Sequence, residues 1–501
     1  MFTNPTIKKI LLHYEKIWAI ENLKRLSGWD LEVFMPIDGV KTRGRVIANL
    51  SAMQQDLMLN KQFCQLIKLA KIQTLNLHEK AVIRILDNEI IKYTKIPQTL
   101  LEDFDLTTGQ AQVAWREARD KNDFSLFAPY LEKIVELSKQ KAEKIGYINH
   151  PYDALLDEYE EGLTTEKVND FFIEIETPLK NLLNYIKNSD KYFTSHPLES
   201  MSYNQLAMES LNKKVLEFFN ADKKKLRLDQ STHPFTQNIS VDDVRITTRY
   251  MDEDFKDSLT ATVHEYGHAL YELQINNKFT ATPLEGGVSL TIHESQSRFF
   301  ENMIGKTKPF ISIFLEDIKK LSPEIAKYVE KEGVEGVYRY FNIVKPSLIR
   351  VQADEVTYHL HIMLRFQLEK ELIAGEIKVK DLPEIWNNRM ESLLGVKPKT
   401  DTEGVLQDVH WSLGAIGYFP TYSLGTFNSG LILHELEKSL GNIDELINPQ
   451  GIVKIQDFLK NSIHQHGSLY TPTKLLGLGF KSENSTKYLI NYLNNKYKDI
   501  Y

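Results

Sequence analysis

Glycine, proline and cysteine are scarce in this sequence. The 501 residues include 24 glycines and 17 prolines, below the usual proportions of about 7% and 5%. Because both residues interrupt helices and form turns, their scarcity in a chain with 26% charged residues favours helices over a turn-rich β fold. The single cysteine, Cys64, excludes an intramolecular disulfide bond and a zinc site built from thiolates.

The sequence also lacks a long apolar run and an excess of positive charge. No apolar run reaches the ~18 residues of a membrane span, and Lys8 and Lys9 interrupt the apolar run that a signal peptide would need. The net charge of -7 argues against nucleic-acid binding, because phosphates need a basic surface. The basic segment 221–229 has no interleaved aromatic residues, so we expect a solvated loop there. These features predict a soluble, cytoplasmic protein that binds neither membranes nor nucleic acid.

Apolar residues recur with helical spacing over most of the chain, and 42% of all residues are hydrophobic, enough for a large core. Ser258, Ser289 and Ser322 are plausible helix N-caps. We predict helices at Ile7–Leu26, His78–Thr94, Phe127–Lys144, Thr165–Lys187, from about Ser258, from about Ser289, from Ser322 to about 375, at 381–396 and at 428–440.

Two stretches depart from the helical pattern. Between residues 239 and 250, Val244, Ile246, Thr248 and Tyr250 alternate with polar residues, which predicts a strand with one apolar face. Residues 404–426 carry four glycines and a proline and predict an irregular segment. Because no flexible linker or internal repeat divides the chain, we expect one mostly helical unit over residues 1–501.

The strongest chemical signal is the pentapeptide His264-Glu265-Tyr-Gly-His268. On a helix, His264 and His268 are one turn apart, so both imidazoles can bind one metal ion. Glu265 lies about 100° around the helix from His264, where its carboxylate can take a proton from a metal-bound water. The alternative is a pair of histidines that are solvated or satisfied in the core.

A catalytic zinc site needs a third protein ligand and an open position. Glu294 lies 26 residues after His268, at the start of the helix predicted from Ser289, and is the expected third ligand. The alternative for Glu294 is an ion pair with Arg298 at i+4, although its two carboxylate oxygens allow both interactions. We expect His293 to point elsewhere and to support the site or the structure.

Six segments of the sequence resemble the Taq carboxypeptidase-like family of thermostable metallocarboxypeptidases, and Trp29–Pro36 is similar to its N-terminal region. The six segments appear in the family's order. They are His233-Pro-Phe235, Asp243-Val-Arg245-Ile-Thr247, His264–His268, His293-Glu-Ser-Gln296, Ile349-Arg350-Val-Gln-Ala-Asp354 and Gly404-Val-Leu-Gln-Asp408-Val-His410-Trp411.

The resemblance implies a metal-dependent carboxypeptidase that acts on peptides with a free C-terminus. It implies a mostly α, zincin-like fold with a deep groove and a small β-sheet near the metal site, as in the clan of angiotensin-converting enzyme and neurolysin. On this basis, the helices before about residue 220 cover the groove, and the catalytic core spans about 230–430. The resemblance further implies a homodimer with one zinc ion per chain, or cobalt in some preparations.

The resemblance also implies roles for single residues. His264, His268 and Glu294 would bind the metal, and Glu265 would act first as base and then as acid. The substrate carboxylate suits a bidentate arginine; Arg350 is our first choice, although it could instead pair with Asp354. Arg245 is the second candidate, and a local network with Asp243 and Thr247 is its alternative. His233–Phe235 and Asp243–Thr247 would line the groove and limit substrate length.

His410 and Tyr422 are 12 residues apart and would stabilise the oxyanion, by analogy with the wider clan; ordinary packing is the alternative. His359/His361 and His464/His466 have i,i+2 spacing, which diverges on a helix, so neither pair should bind a metal. Two rival functions remain at this point: a zinc oligoendopeptidase or dipeptidyl carboxypeptidase of the same clan, and a non-enzymatic peptide-binding helical scaffold.

Overall fold

Helices make up most of both halves of the chain, as the low glycine and proline content predicts. The computed structural model describes residues 1–482 and 486–501. The helices before the sheet are α1 (Pro5–Val33), α2 (Val40–Met58), α3 (Lys61–Lys71), α4 (Leu77–Lys95), α5 (Gln98–Lys121), α6 (Ala128–Ile145), α7 (Tyr152–Leu156), α8 (Thr165–Lys187) and α9 (Gln205–Phe218). The predicted helices at 7–26, 78–94, 127–144 and 165–187 are confirmed as α1, α4, α6 and α8. They were predictable because their apolar residues recur at helical spacing along the sequence.

Among the described residues, three strands near the middle of the chain are followed by further helices. The strands are β1 (Leu226–Gln230), β2 (Thr236–Ser240) and β3 (Asp243–Thr248). The helices are α10 (Phe255–Leu273), α11 (Leu290–Arg298), α12 (Lys308–Lys319), α13 (Pro323–Phe341), α14 (Tyr358–Ala374), α15 (Leu382–Leu394), α16 (Pro420–Leu440), α17 (Ile443–Leu446), α18 (Pro449–Ser462), α19 (Pro472–Gly479) and α20 (Lys487–Ile500). In the described part of the chain, none of these helices is long and apolar enough to cross a bilayer.

Two of the three predicted N-caps are confirmed. The side chains of Ser289 and Ser322 accept hydrogen bonds from the backbone N–H of Ile292 and Ile325, each at 3.2 Å. The prediction for Ser258 is wrong, because α10 already begins at Phe255. Ser258 is instead buried inside the helix, where its hydroxyl accepts a hydrogen bond from Asn212 at 3.0 Å.

Two predicted boundaries in the C-terminal half are also wrong. The helix expected from Ser322 to about residue 375 is interrupted between α13 and α14, and Arg350 lies in a short 3-10 turn, Arg350–Gln352. Pro346 within the interruption explains the break, because proline removes a helical hydrogen bond and disfavours helical geometry at the residue before it. The irregular segment predicted to residue 426 ends earlier, because Pro420 begins α16.

The sheet has the strand order β1-β3-β2, with β1 parallel and β2 antiparallel to β3. The predicted strand is confirmed at β3, where Val244 and Ile246 are fully buried. Thr247, predicted on the polar face, is buried as well, because its hydroxyl accepts hydrogen bonds from Ser231 and from the backbone N–H of Phe235. The loop expected at 221–229 is only partly correct, since β1 begins at Leu226.

The N-terminal helices form their own apolar cluster against the sheet region. Buried residues of α1, α3 and α4 pack together with Val241, Ile275, Phe279 and Leu284. This packing brings α1 against β2, where the side-chain amide of Asn22 donates to the carbonyl of Ile239 at 2.7 Å. One wall of the groove next to the sheet is therefore shared by β2 and α1.

Candidate metal centre

The helices α10 and α11 approach each other closely at Gly267, between the two histidines of the pentapeptide. A Cβ atom at this position would lie 2.5 Å from the carbonyl oxygen of Gln296 and 2.6 Å from Cα of Ser297. Both neighbours are backbone atoms and cannot move without moving α11. The missing side chain at Gly267 therefore lets the helix that carries Glu294 lie directly against the helix that carries the histidines.

We expect Gly267→Ala to destabilise the protein, because the added methyl group has to push α11 away from α10. Overpacking of this kind costs about 1–3 kcal/mol, which should appear as a lower urea midpoint of the metal-free protein. Gly44→Ala in α2 is the matched control, since no atom lies within 4 Å of its added Cβ. Alanine there should stabilise the helix by up to about 1 kcal/mol. Equal midpoints for the two variants would contradict the packing argument.

The structure brings the three predicted metal ligands together. Oε2 of Glu294 lies 3.8 Å from Nε2 of His264 and 3.6 Å from Nε2 of His268. Among residues 1–482 and 486–501, these three form the one group of His, Cys, Asp and Glu side chains whose ligand atoms all lie within 4.8 Å of one another. Two imidazole nitrogens and one carboxylate oxygen are a donor set that zinc uses in catalytic sites. The three residues therefore fit a metal ion of this class.

Glu294 also makes the predicted contact with Arg298, whose Nε donates to its second oxygen, Oε1, at 2.6 Å. Both interactions considered for Glu294 are thus compatible. The same arginine donates from Nη1 to Oε2 of Glu301 at 3.1 Å, and this oxygen lies 2.9 Å from Nδ1 of His264. Burial disfavours the charged carboxylate of Glu301, but Lys306 and Arg298 hold its pKa well below the usual range. Glu301, in a π-helical turn after α11, was missed by the sequence prediction.

Glu265 is 6% exposed and faces β2. The hydroxyl of Thr236 donates to its Oε2 at 2.6 Å. Burial raises the pKa of Glu265 above its usual value. Thr236, which lies on a strand next to the metal ligands, is a second residue that the sequence prediction missed, because its contact joins positions 29 residues apart.

His293 contacts His268, one of the predicted metal ligands. Its Nδ1 lies 3.1 Å from Nδ1 of His268, and its Nε2 lies 2.5 Å from Oε1 of Glu272. Glu272 follows His268 by one helical turn and was also missed by the sequence prediction. Among the described residues, neither of the two other histidine pairs belongs to the group of converging ligand atoms. His464 is buried, and both its ring nitrogens are hydrogen bonded to glutamines, Gln274 and Gln296.

A cavity of about 620 Å³ opens in front of the three ligands. Its wall includes residues of β2, the three predicted ligands, Tyr418, Tyr422, and Arg25 of α1. Since β2 is at the edge of its sheet, its main chain is a natural partner for an extended peptide. The cavity therefore lies where an extended peptide on β2 could reach the three predicted ligands.

His410 and Tyr422 lie together, although one is in a 3-10 turn, His410–Leu413, and the other is in the first turn of α16. Nε2 of His410 is 3.2 Å from the hydroxyl of Tyr422, which faces the cavity. Nδ1 of His410 is buried and has no hydrogen-bond partner among the described residues. Burial lowers the pKa of His410 to about 4, so this imidazole is neutral near pH 7.

Arg350 pairs with Asp408 rather than with Asp354. Its Nε and Nη2 donate to Oδ1 of Asp408 at 2.9 and 2.8 Å, and its Nη1 donates to the hydroxyl of Tyr358 at 3.0 Å. The guanidinium is 5.2 Å from the ring of Tyr422. Asp354 instead accepts hydrogen bonds from nearby backbone N–H groups. The two motifs that carry Arg350 and Asp408 therefore form one ion-pair network behind Tyr422.

Arg245 makes the local contact that we considered as its alternative role. Its guanidinium forms a two-point ion pair with Asp243, at 2.9 and 2.7 Å, and stacks on Trp29 of α1 at 4.3 Å. His233 is exposed, and its carbonyl accepts a hydrogen bond from Ser231. Arg25, which no motif had indicated, is the arginine that lies in the cavity wall among the described residues.

Comparisons with known proteins agree with this geometry. The family model described as carboxypeptidase Taq (M32) metallopeptidase matches residues 9–497. The chain is 44% identical to thermostable carboxypeptidase 1 of Pyrococcus furiosus, with 99% of each chain covered. It is 34% identical to carboxypeptidase 1 of Bacillus subtilis, with 98% of this chain and 97% of that one covered. Its fold matches the structures of the P. furiosus carboxypeptidase (TM-score 0.96, 44% identity, 99% of both chains) and of Trypanosoma cruzi metallocarboxypeptidase 1 (TM-score 0.91, 31% identity, 99% of both chains).

Proposed function

The chain belongs to the carboxypeptidase Taq (M32) metallopeptidase family, and we propose that it releases single residues from the free C-terminus of peptides, using one zinc ion held by His264, His268 and Glu294. As a member of this family it is a metallocarboxypeptidase, a peptide hydrolase. The convergence of three ligand atoms beside a buried glutamate and an open cleft carries the proposal.

Zinc at such a site supplies Lewis acidity toward the scissile carbonyl and toward water. Glu265 is the proposed proton carrier. Because Thr236 holds its Oε2, Oε1 is the atom that we propose receives a proton from the attacking water and then delivers it to the leaving amine nitrogen. Burial, which favours the protonated form of this carboxyl group, supports its second role as an acid.

We propose that Tyr422 donates its hydroxyl proton to the oxyanion that develops on the substrate carbonyl. His410 would support this role: neutral and protonated on Nε2, it donates to the Tyr422 oxygen and leaves the hydroxyl proton free to point into the cleft. This tautomer places the lone pair, not an N–H group, at the buried Nδ1 without a partner among the described residues.

Arg350 remains our proposed anchor for the substrate carboxylate, with Arg245 and His233 placed along the groove. Its position next to Tyr422 supports the proposal. The carboxylate of Asp408 already forms ion pairs with both Arg350 and Arg365. The substrate carboxylate would therefore compete with Asp408 for the guanidinium of Arg350, or bind beside it. Arg25 is a rival anchor because it lies in the cavity wall.

We expect stepwise loss of C-terminal residues from an unblocked peptide, abolished by a chelator and restored by zinc or cobalt. A peptide amidated at its C-terminus should be cleaved far more slowly, because the charge-assisted hydrogen bonds to the anchor are lost. Arg350→Gln should shrink the difference between the free and the amidated peptide, whereas Arg25→Gln should not. Product analysis by mass spectrometry measures both effects.

Other outcomes of this experiment identify the rivals. Internal fragments, or equal cleavage of the amidated peptide, would indicate an oligoendopeptidase. Loss of residues two at a time would indicate a dipeptidyl carboxypeptidase. If no peptide is cleaved with any metal, the scaffold function becomes the better explanation. A smaller difference in Arg25→Gln instead of Arg350→Gln would transfer the anchor role to Arg25.

We further propose a homodimer that resides in the cytoplasm. The family resemblance supports dimer formation, as do the exposed apolar side chains of Phe34 and Ile37 between α1 and α2, which are 61% and 85% exposed. Light scattering after size-exclusion chromatography tests the dimer, and a single species at the mass of one chain would contradict it.

A further inference from the structure

We propose that Glu272 and His293 are positioning residues that keep the proton of His268 on Nδ1, so that its Nε2 retains the lone pair needed to bind a metal ion. The inference rests on the proposed ligand set. Both residues line the cavity, but neither belongs to the group of converging ligand atoms. Their effect passes through His268, which makes it separable from the roles of the ligands and of Glu265.

The argument begins at Glu272, which is 3% exposed and surrounded by hydrogen-bond donors. The backbone N–H of Gly287 donates to its Oε1 at 3.0 Å, and the side-chain amide of Asn238 donates to its Oε2. An ionised carboxylate accepts hydrogen bonds and cannot donate one. The short contact of 2.5 Å between Oε1 and Nε2 of His293 therefore requires the proton to lie on Nε2.

The second step concerns the pair of imidazoles. A neutral histidine that carries its proton on Nε2 has a lone pair on Nδ1. Since Nδ1 of His293 lies 3.1 Å from Nδ1 of His268, the hydrogen bond between them needs His268 to donate. His268 then carries its proton on Nδ1, and the lone pair of its Nε2 faces the shared space beside Oε2 of Glu294, 3.6 Å away.

The two ligand histidines are held by chemically different partners. Nδ1 of His264 donates directly to a carboxylate oxygen of Glu301 at 2.9 Å. Nδ1 of His268 reaches its carboxylate, Glu272, only through the imidazole of His293. The longer connection puts a neutral acceptor next to His268, and the tautomer of His268 then depends on the tautomer of His293. Glu272 is the residue that determines the latter.

The ring of His293 has little freedom to turn. A Cβ at Gly287 would lie 2.5 Å from its Cδ2 and 2.7 Å from Cε1 of Tyr271, and the rings of His293 and Tyr271 are 4.9 Å apart. The ring is thus packed between a backbone without a side chain and an aromatic face. Gly287→Ala should displace the ring without removing any hydrogen-bonding group.

Zinc affinity, measured by competition with a chromophoric chelator, tests the inference without using turnover. Glu272→Gln and His293→Phe should each weaken zinc binding about 10- to 100-fold, the usual effect of losing the partner of a ligand histidine. Because Glu272 acts through His293, the double variant should bind zinc no more weakly than His293→Phe alone. Gly287→Ala should also weaken zinc binding, and it provides a second test if Glu272→Gln does not fold.

Glu79→Gln is the matched control, because Glu79, like Glu272, is a buried carboxylate held by hydrogen bonds. It accepts hydrogen bonds from the backbone N–H groups of Thr3, Asn4 and Asn76. The control variant should lower the unfolding temperature of the metal-free protein and leave the zinc affinity unchanged. Wild-type zinc affinity in Glu272→Gln, or additive losses in the double variant, would overturn the inference. If His268→Ala keeps wild-type zinc affinity, the ligand set itself fails, which is a different outcome.

Discussion

Glu265→Gln is expected to lower kcat by about 10²- to 10⁴-fold, the range that general acid–base catalysis contributes, while zinc remains bound. Glutamine has nearly the same shape and can still accept the hydrogen bond that Thr236 donates to Oε2. It cannot take a proton from water or return one to the amine. Because Glu265 is not among the three residues whose ligand atoms converge, zinc affinity should stay close to that of the wild type.

The measurement is the release of C-terminal residues at saturating peptide, together with metal analysis of the dialysed protein. Glu79→Gln makes the same chemical change in a buried carboxyl group far along the chain and should leave kcat unchanged. Wild-type turnover in Glu265→Gln would remove the proposed mechanism. Loss of zinc together with turnover would show instead that Glu265 helps to hold the metal.

His264→Ala is expected to abolish both zinc binding and turnover. The variant leaves two ligands, His268 and Glu294, which are too few for a stable catalytic zinc site. The Lewis acidity lost with the metal is worth several kcal/mol, and about 4 kcal/mol corresponds to a fall in kcat of about 10³-fold. Excess zinc should not restore the activity, in contrast to chelator-treated wild-type protein.

His466→Ala is the control for this variant, because His466 is half-buried and its Nε2 bonds to the carbonyl of Asn461 at 3.2 Å, outside the metal centre. It should keep both the zinc content and the turnover. Zinc retained at the wild-type level by His264→Ala would exclude this residue as a ligand. The pair His264→Ala and Glu265→Gln then separates metal binding from proton transfer at neighbouring positions.

The local parts of the molecule could be predicted from the sequence. A helix repeats every 3.6 residues, so the i,i+4 spacing of His264 and His268 predicted that both side chains share a face, and α8 matches its predicted bounds. Glu294 was predictable because Ser289 marks the start of the next helix and places the carboxylate near its beginning. These features could be predicted because helix period and helix capping depend on hydrogen bonds between residues that are close in the sequence.

The partners of these residues depend on contacts between distant parts of the chain. Pairing with Asp354 in a helix was the alternative that we considered for Arg350, but the break at residues 342–357 turned it toward Asp408, 58 residues away. No local period could have indicated that ion pair, because both side chains are directed by the packing of separate segments.

The sequence by itself therefore determined the helical character of the chain, the helical face shared by His264 and His268, the place of Glu294 on the next helix, and the family. The tertiary structure alone decided which groups orient them: Thr236 on Glu265, Glu301 on His264, and Glu272 through His293 on His268. Local geometry follows from hydrogen bonds within a few residues along the backbone. Orientation of a buried side chain follows from the elements packed around it, and those elements meet only when the whole core forms.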